Sequence, residues 1–497
     1  MTTLGYTLLP HQLEHVQRIV DTMSEHSSML DLSLMGRGKT YTSSYVATVM
    51  KSIVVVVCPA SVESKWKEMR TKFNAPIWKV ISYESLRGVK NKQPKHGLLQ
   101  RIDRQGKVGL FTSFKPTKAL SSVTKTRRVL FVFDEVQKTK NKSATAKACI
   151  ALAAHAYTRS QSKVLLLSGT PIDKRQQSIN LLRMMGLITS STLAYTDAET
   201  GVIRQVGYDK LHKTCMKLNP VKTLEYEDNY NLKKKITDYP KVIYDLFINV
   251  VLKYLSSKMP DDIKTCKLDI RNRYFLTTED EKRELERNIK NMQSFFNEDR
   301  TQLLRNDINT FGAIQKALCG IENAKVGIIA RNAHRILADD PTTKVCIMLN
   351  YTESLKKVTE LLCDYKPVVV NGSVPKHKRS QILEEFQTPS LSSRLVIANM
   401  DVLSMGVDLD DKFGDRKRHV FASPNYKTMV IQQMTYRFLR ANTKSDTKID
   451  FVYGQCRLEE ESVLRCLSEK ACTMREACLD GKNNYVRYPD QYPKVLC

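Results

Sequence analysis

Eight short, nearly uninterrupted aliphatic runs constrain this chain more than any other feature. Residues 53–58 (Ile-Val-Val-Val-Val-Cys), 129–133 and 164–167 lie in its first part, and 345–349, 368–370, 395–398, 419–422 and 449–453 lie after residue 340. Such runs are too apolar for strands with one wet face, so they read as strands buried on both sides, in parallel sheets flanked by helices. The longest purely aliphatic run, 53–57, falls far short of the roughly 20 residues that a membrane-spanning helix needs.

The spacing of these runs predicts an α/β chain with two parallel-sheet lobes and a helical insert between them. Residues 1–190 form the first lobe, 191–340 the insert, 341–457 the second lobe, and 458–497 a C-terminal helix with an irregular tail. Within the insert, Thr278 and Glu281 make a capping box ahead of Leu285, Ile289 and Met292 at helical spacing. With 497 residues, two or three domains are the natural expectation.

The formal charge of +27 points to a polyanionic partner. The excess is concentrated: twelve Lys or Arg stand between Arg87 and Arg128 against one acid, Asp103. A solvated loop is the bland explanation, and a nucleic-acid contact the sharper one. Twelve scattered cysteines, several inside apolar runs, read as reduced core thiols, and Cys456, Cys466, Cys472 and Cys478 lack the close pairs of a zinc site. The N-terminus has no basic segment followed by an apolar stretch, so an intracellular location is expected, nuclear or cytoplasmic.

Chemistry concentrates in Ser33-Leu-Met-Gly-Arg-Gly-Lys-Thr40, between a partly apolar segment and a helix-compatible one. Gly36 and Gly38 let the backbone curl so that successive N–H groups face one anion at a helix N-terminus. Lys39 adds a charge for the β- and γ-phosphates, and the Thr40 hydroxyl is a Mg2+ ligand candidate. Asp134 and Glu135 directly follow the 129–133 run, where one carboxylate can reach Mg2+ and the other can orient a water. Near the end of the second lobe, Arg437 and Arg440 stand at spacing three and would share one face if their segment is helical.

In order along the chain, these residues and their companions resemble superfamily 2 helicases, and within them the SNF2-like DNA translocases. Leu9-Pro-His-Gln12 looks like the entry motif whose glutamine reads adenine, and Gly36 to Thr40 like motif I, with Ser33 where the first glycine usually stands. The segment Val56 to Ser61 with Lys65-Trp66 is similar to motif Ia. Tyr83-Glu-Ser-Leu86 resembles the next short element. Asp134-Glu-Val-Gln137, with Gln for the usual His, and the following Lys140-Asn141 look like the SNF2 acidic box. Ser168-Gly-Thr-Pro171 is similar to motif III. Asn371-Gly-Ser373 with Arg379 resembles the element before motif V, Ser404 to Leu409 motif V, and Gln433 to Arg440 motif VI, with Tyr436 before the first arginine.

The resemblance implies two RecA-like lobes, ATP and Mg2+ as cofactors, and the insert as protrusions from the lobes. It implies catalytic roles for Lys39, Asp134, Glu135, Gln137, Arg437 and Arg440. Nucleotide contacts would come from Gln12, Gly36, Arg37, Gly38, Lys39, Thr40, Gly406 and Asp408, with Thr40 and Asp134 on the metal. Ser61, Lys65, Thr170 and Ser404 would touch nucleic acid. The expected activity is a DNA-dependent ATPase that moves on or remodels duplex DNA, against two rivals: a strand-separating DNA or RNA helicase, and a scaffold with a vestigial ATP site. Duplex DNA is the expected partner, with transcription or replication machinery as further candidates, no membrane, and a virion location if the source is a large DNA virus.

Overall fold

The computed structural model describes residues 5–106, 109–232, 236–260, 266–297, 304–305, 307–403, 408–425, 427–440, 442–456 and 470–478. They divide into two compact units: the first spans Met1–Asp261 with Thr473–Gly481, the second the remainder.

The first unit is built on a six-stranded sheet. Its strands are β1 (Ser28–Asp31), β2 (Ile53–Cys58), β3 (Ile77–Ser82), β6 (Val129–Asp134), β7 (Ser162–Leu167) and the short β10 (Ser256–Ser257), separated in the chain by two hairpins, β4 (Leu99–Gly106) with β5 (Gly109–Pro116) and β8 (Ala194–Thr196) with β9 (Ile203–Gln205). The sheet order is β10-β1-β7-β6-β2-β3, and every pairing is parallel. Alternation along the strands fills two cores: Val55, Val57, Phe131, Phe133 and Leu166 face one, and Val54, Val56, Leu130, Val132 and Leu165 the other. The aliphatic runs of the sequence are continuous because both faces must be apolar.

The second unit repeats this plan with β11 (Leu268–Phe275), β12 (Lys344–Leu349), β13 (Val368–Val370), β14 (Leu395–Asn399), β15 (Arg418–Ala422) and β16 (Thr447–Gly454), in the all-parallel order β11-β16-β15-β12-β14-β13. Here too the strands serve two cores, Met348, Val396 and Phe451 on one side, Ile347, Ile397 and Val452 on the other. All eight aliphatic runs are strands.

Residues 191–340 do not form a body of their own. The helices Asp209–Leu218 and Tyr239–Leu246 bury Leu211, Cys215, Val242 and Ile243 in a core of the first unit. The helices Glu279–Gln293, Ile308–Ala324 and Val326–Asp339 bury Leu285, Ile289, Ile321 and Ile328 in cores of the second. An amphipathic helix must cover its apolar stripe, and the two sheets supply the nearest surfaces. The segment also contributes β10 and β11, which purely helical expectations missed; β11 is an edge strand whose Arg271 and Arg273 interrupt the aliphatic signal. The capping box at Thr278 is present: Thr278 N–H donates to Glu281 Oε2 at 2.9 Å and Glu281 N–H to Thr278 Oγ1 at 3.2 Å. Of the helix expected over 458–480, residues 470–477 are helical, and 457–469 and 479–480 lie outside the described residues.

In the second unit the loop after residue 408 is fastened by a buried guanidinium. Arg418 donates to the carbonyls of Leu409 (3.0 Å) and Arg416 (2.6 Å), and its plane lies 4.9 Å from the Phe386 ring centroid. Arg418→Met should strand these carbonyls without a donor and lower the stability of the second unit by about 3 kcal/mol. Differential scanning calorimetry of the full chain would register this as a lowered transition; an unchanged melt would show that the fork does not hold the loop.

Candidate nucleotide site

The phosphate loop leaves the carboxyl end of β1, where ligands of such sheets bind. Asp31, the last residue of that strand, accepts from Ser33 N–H at 2.8 Å and lies 3.1 Å from His15 Nε2, both groups fully buried. The other His15 nitrogen, Nδ1, is 3.0 Å from Ser257 Oγ on β10. Burial pushes the Asp31 carboxyl up, but His15, Lys39 and Ser33 outweigh it and hold it below the usual range. Ser33, at the position usually held by glycine, has its own use: its hydroxyl accepts from Met259 N–H at 2.9 Å.

Gly36 and Gly38 adopt φ of +79° and +88°, the left-handed region open to glycine. Gly38 is the N-cap of the helix Lys39–Val49 and no side chain caps that end, so its first N–H groups are available to an anion. Lys39 Nζ reaches back to donate to the carbonyls of Ser33 (2.7 Å) and Leu34 (3.1 Å), acceptors with which a phosphate would compete for the ammonium. Gln12 braces the loop from outside, its amide donating to Arg37 O at 3.0 Å while its carbonyl accepts from Leu9 N–H at 3.1 Å. Arg37 and Thr40 are buried in the loop.

Asp134 ends β6 on the same sheet edge. Trp66 Nε1–H donates to its Oδ2 at 2.9 Å and Tyr83 O–H to its main-chain oxygen at 2.8 Å. Burial, and then the neighbouring Glu135, push its carboxyl up to about 6. Glu135 itself sits at φ +57°, a left-handed conformation that is uncommon outside glycine and is found at functional sites. Gln137 donates to Glu135 Oε2, Ser168 Oγ–H donates to Gln137 Oε1 at 2.7 Å, and Thr170 N–H donates to Ser168 Oγ at 3.0 Å. A chain of hydrogen bonds therefore runs from the acidic pair to the Ser168-Gly-Thr turn. A Cβ on Gly169 would meet Ser33 O and Leu34 Cα at 3.2 Å, which places that turn hard against the phosphate loop. Lys140 Nζ binds Asp173 Oδ1 at 2.8 Å, and Gln177 donates to Asn141 at 3.2 Å, docking the Lys-Asn pair on the segment after the turn.

The donor set fits Mg2+. Thr40 and Asp134 both lie at the phosphate loop's edge of the sheet, and a carboxyl raised by burial and a like charge is one that a divalent cation would favour as carboxylate. Among the described residues there is no cluster of three or more His, Cys, Asp or Glu that could hold a metal alone. Mg2+ in phosphoryl-transfer sites takes one or two protein ligands and fills its shell from substrate phosphates and water.

The nucleic-acid candidates of the first unit sit nearby. Lys65 Nζ lies 5.7 Å from the Tyr41 ring centroid, on the helix that follows the phosphate loop. Ser61 Oγ is buried without a hydrogen-bond partner among the described residues, and Thr170 is buried in the turn. Ser404 and Gly406 lie outside the described residues.

In the second unit Asp408 gathers both arginines: Arg440 Nε is 2.7 Å and Arg437 Nη1 3.9 Å from its Oδ1. Burial raises the Asp408 carboxyl, and Arg440 with Arg437 more than reverses this. The helical argument for the pair fails. The helix Thr428–Thr435 ends before Arg437, a 3-10 turn covers Tyr436–Phe438, and Leu439 is extended. The shared carboxylate, not a shared helical face, brings the two together. Sequence reasoning missed His15, Asp31 and Ser257, and it gave Trp66 no part at Asp134; only the position of Asp31 just ahead of the loop carried a signal.

Residues 329–442, which include Asp408, Arg437 and Arg440, match the helicase conserved C-terminal domain. A protein of Acanthamoeba polyphaga mimivirus that bears the name of an ATP-dependent RNA helicase is 19% identical over 482 residues, covering 95% of this chain and 84% of its own. Among solved structures, the Sulfolobus solfataricus SWI2/SNF2 ATPase core in complex with dsDNA is 15% identical, with 96% of this chain and 97% of that one covered and a TM-score of 0.31. The ATPase core domain from the same organism is 14% identical over 91% and 87%, with a TM-score of 0.33. The fold rests on the strand orders of the two sheets.

Asp134 gives the site a pH signature. Its folded value of about 6 lies above the unfolded 3.8, so its contribution to stability is full below pH 3.8 and is lost as pH rises through 6. Asp134→Asn cannot ionise and keeps an acceptor for Trp66. The variant should therefore exceed the native chain in stability by a margin that opens across that window and levels off at about 3 kcal/mol. Thermal melts at a series of pH values would test this, and parallel curves for the two proteins would refute the assigned shift.

Proposed function

We propose that this chain, a helicase-type ATPase of superfamily 2, couples ATP hydrolysis to movement along duplex DNA. The observation that supports this reading best is the unbroken hydrogen-bond path from Glu135 through Gln137 and Ser168 to Thr170, one turn away from the phosphate loop. Glu135 is the base that orients the attacking water, and Thr170 belongs to the turn assigned to nucleic acid. A change of strand contact at that turn is therefore felt at the base.

Lys39 leaves the carbonyls of Ser33 and Leu34 for the β- and γ-phosphates, and the helix Lys39–Val49 presents its free N–H groups to them. Thr40 and Asp134 would hold Mg2+, which when bound would neutralise charge developing on the phosphates. Arg437 and Arg440 exchange Asp408 for the γ-phosphate as ATP and nucleic acid draw the lobes together, so that hydrolysis depends on closure. Ser61, Lys65, Thr170 and Ser404 grip the sugar-phosphate backbone, which gives affinity without sequence preference.

A second reading, strand separation on RNA, draws on the name of the mimiviral relative. Phosphate release measured with duplex DNA, single-stranded DNA and RNA separates the two: duplex DNA should stimulate most, and stronger stimulation by RNA would overturn the DNA reading. Lys39→Ala should cut stimulated hydrolysis by at least about a hundredfold, and native turnover in that variant would exclude the loop as the ATP site.

A further inference from the structure

The basic stretch from Arg87 to Arg128 is not the featureless loop that its composition allows. It folds into the antiparallel hairpin β4–β5 and the helix Lys118–Thr126. Register sorts its residues onto two faces. Leu99, Arg101 and Asp103 pair with Pro116, Phe114 and Thr112, while Gln100, Ile102 and Arg104 pair with Lys115, Ser113 and Phe111 on the opposite face.

The first face looks inward and uses up the only acid. Asp103 is held by Arg101 Nε (2.9 Å), the Asn91 N–H (3.0 Å) and Thr112 Oγ1 (2.7 Å), which together bring its carboxyl down to about 2. Arg101 also donates to the carbonyls of Arg87 and Gly88, at 3.3 and 3.2 Å. The stretch's single negative charge is thereby cancelled internally.

The second face has the opposite character. Arg104 and Lys115 are exposed, and Phe111, directly across from Arg104, is left 57% exposed, an unusual state for so large an apolar ring. Lys147 Nζ lies 4.8 Å from the Phe111 centroid. Lys147 stands in the first turn of the helix Ala144–Tyr157, which begins just after the acidic box and its Lys140-Asn141 extension. The outer end of the hairpin is thus carried to the same sheet edge as the phosphate loop, Asp134 and the Ser168-Gly-Thr turn. Exposed Lys142 lies on that edge as well.

We propose that Arg104, Phe111, Lys115, Lys142 and Lys147 form a second contact surface for the phosphate backbone of the duplex, beside the contacts assigned to Ser61, Lys65 and Thr170. This deepens the proposed function and rests on it. The cations supply the sequence-independent attraction, and the Phe111 ring holds Lys147 in place over the hairpin by its quadrupole. The surface excludes part of the stretch that suggested it: Arg101 is committed inward, and Arg127 and Arg128 precede β6 at the other edge of the sheet.

The test is the salt dependence of binding to a short fluorescent DNA duplex, with the full chain. The triple variant Arg104→Glu, Lys115→Glu, Lys147→Glu changes only exposed side chains. Each phosphate contact contributes about −0.9 to the slope of log K against log salt, so the slope should become shallower by two to three. The neutral triple to Gln should do the same. A charge-matched control in the second unit, Lys356→Glu, Lys357→Glu, Lys366→Glu, should leave the slope near the native one. A native slope in both hairpin variants, or an equal loss in the control, overturns the surface while leaving the ATPase reading intact. Failure of the native chain to bind duplex DNA at all overturns both, and the Lys39→Ala hydrolysis assay then tells whether the ATP site survives.

Discussion

The buried contact between Asp31 and His15 is the interaction on which the rest of the first unit depends. Taking a carboxylate out of water costs several kcal/mol, and removing one member of such a pair is far more damaging than never having had it. The pair holds three pieces of chain at once: the helix Pro10–Glu25 through His15, the phosphate loop through Ser33 N–H, and β10 through Ser257. The segment just after β10 in turn fastens Ser33 through Met259. The Ser33–Thr40 loop is thereby fixed at its root, while its glycines leave the tip able to adapt.

A fixed root lets the neighbouring groups be less comfortable than they would otherwise be. Asp134 is kept in a setting that disfavours its charge, next to Glu135 in a left-handed backbone conformation. Each is a local cost on the order of 1–3 kcal/mol, borne by the apolar sheet beneath. Strain and displaced acidity gathered at one strand end mark a candidate functional site. In the second unit Asp408 plays the complementary part, keeping two guanidinium groups together that the helix alone would not hold.

Much of this was legible in the residues. The two-sided burial of parallel strands writes itself as aliphatic runs, and all eight runs are strands. The glycines of the phosphate loop and the capping box at Thr278 were equally plain, because each is a local pattern in which neighbours in sequence are neighbours in space. Where the apolar signal was diluted, reading failed. β3 carries Trp78 and Lys79, β11 carries two arginines on a sheet edge, and the hairpin β4–β5 was hidden inside a run of charge.

The sequence by itself determined the class of fold, two parallel sheets each sandwiched between helices, and it marked the loop, the carboxylates and the arginines as candidate groups at fixed places. Only the tertiary structure decided which groups meet. His15 and Ser257 stand 242 residues apart and meet through their side chains, Trp66 reaches Asp134 across 68, and Arg437 and Arg440 come together through Asp408 after their helix has ended. Such partners are set by the crossing of strands and the register of a sheet. Those depend on how entire faces pack, and no local pattern of residue types records them.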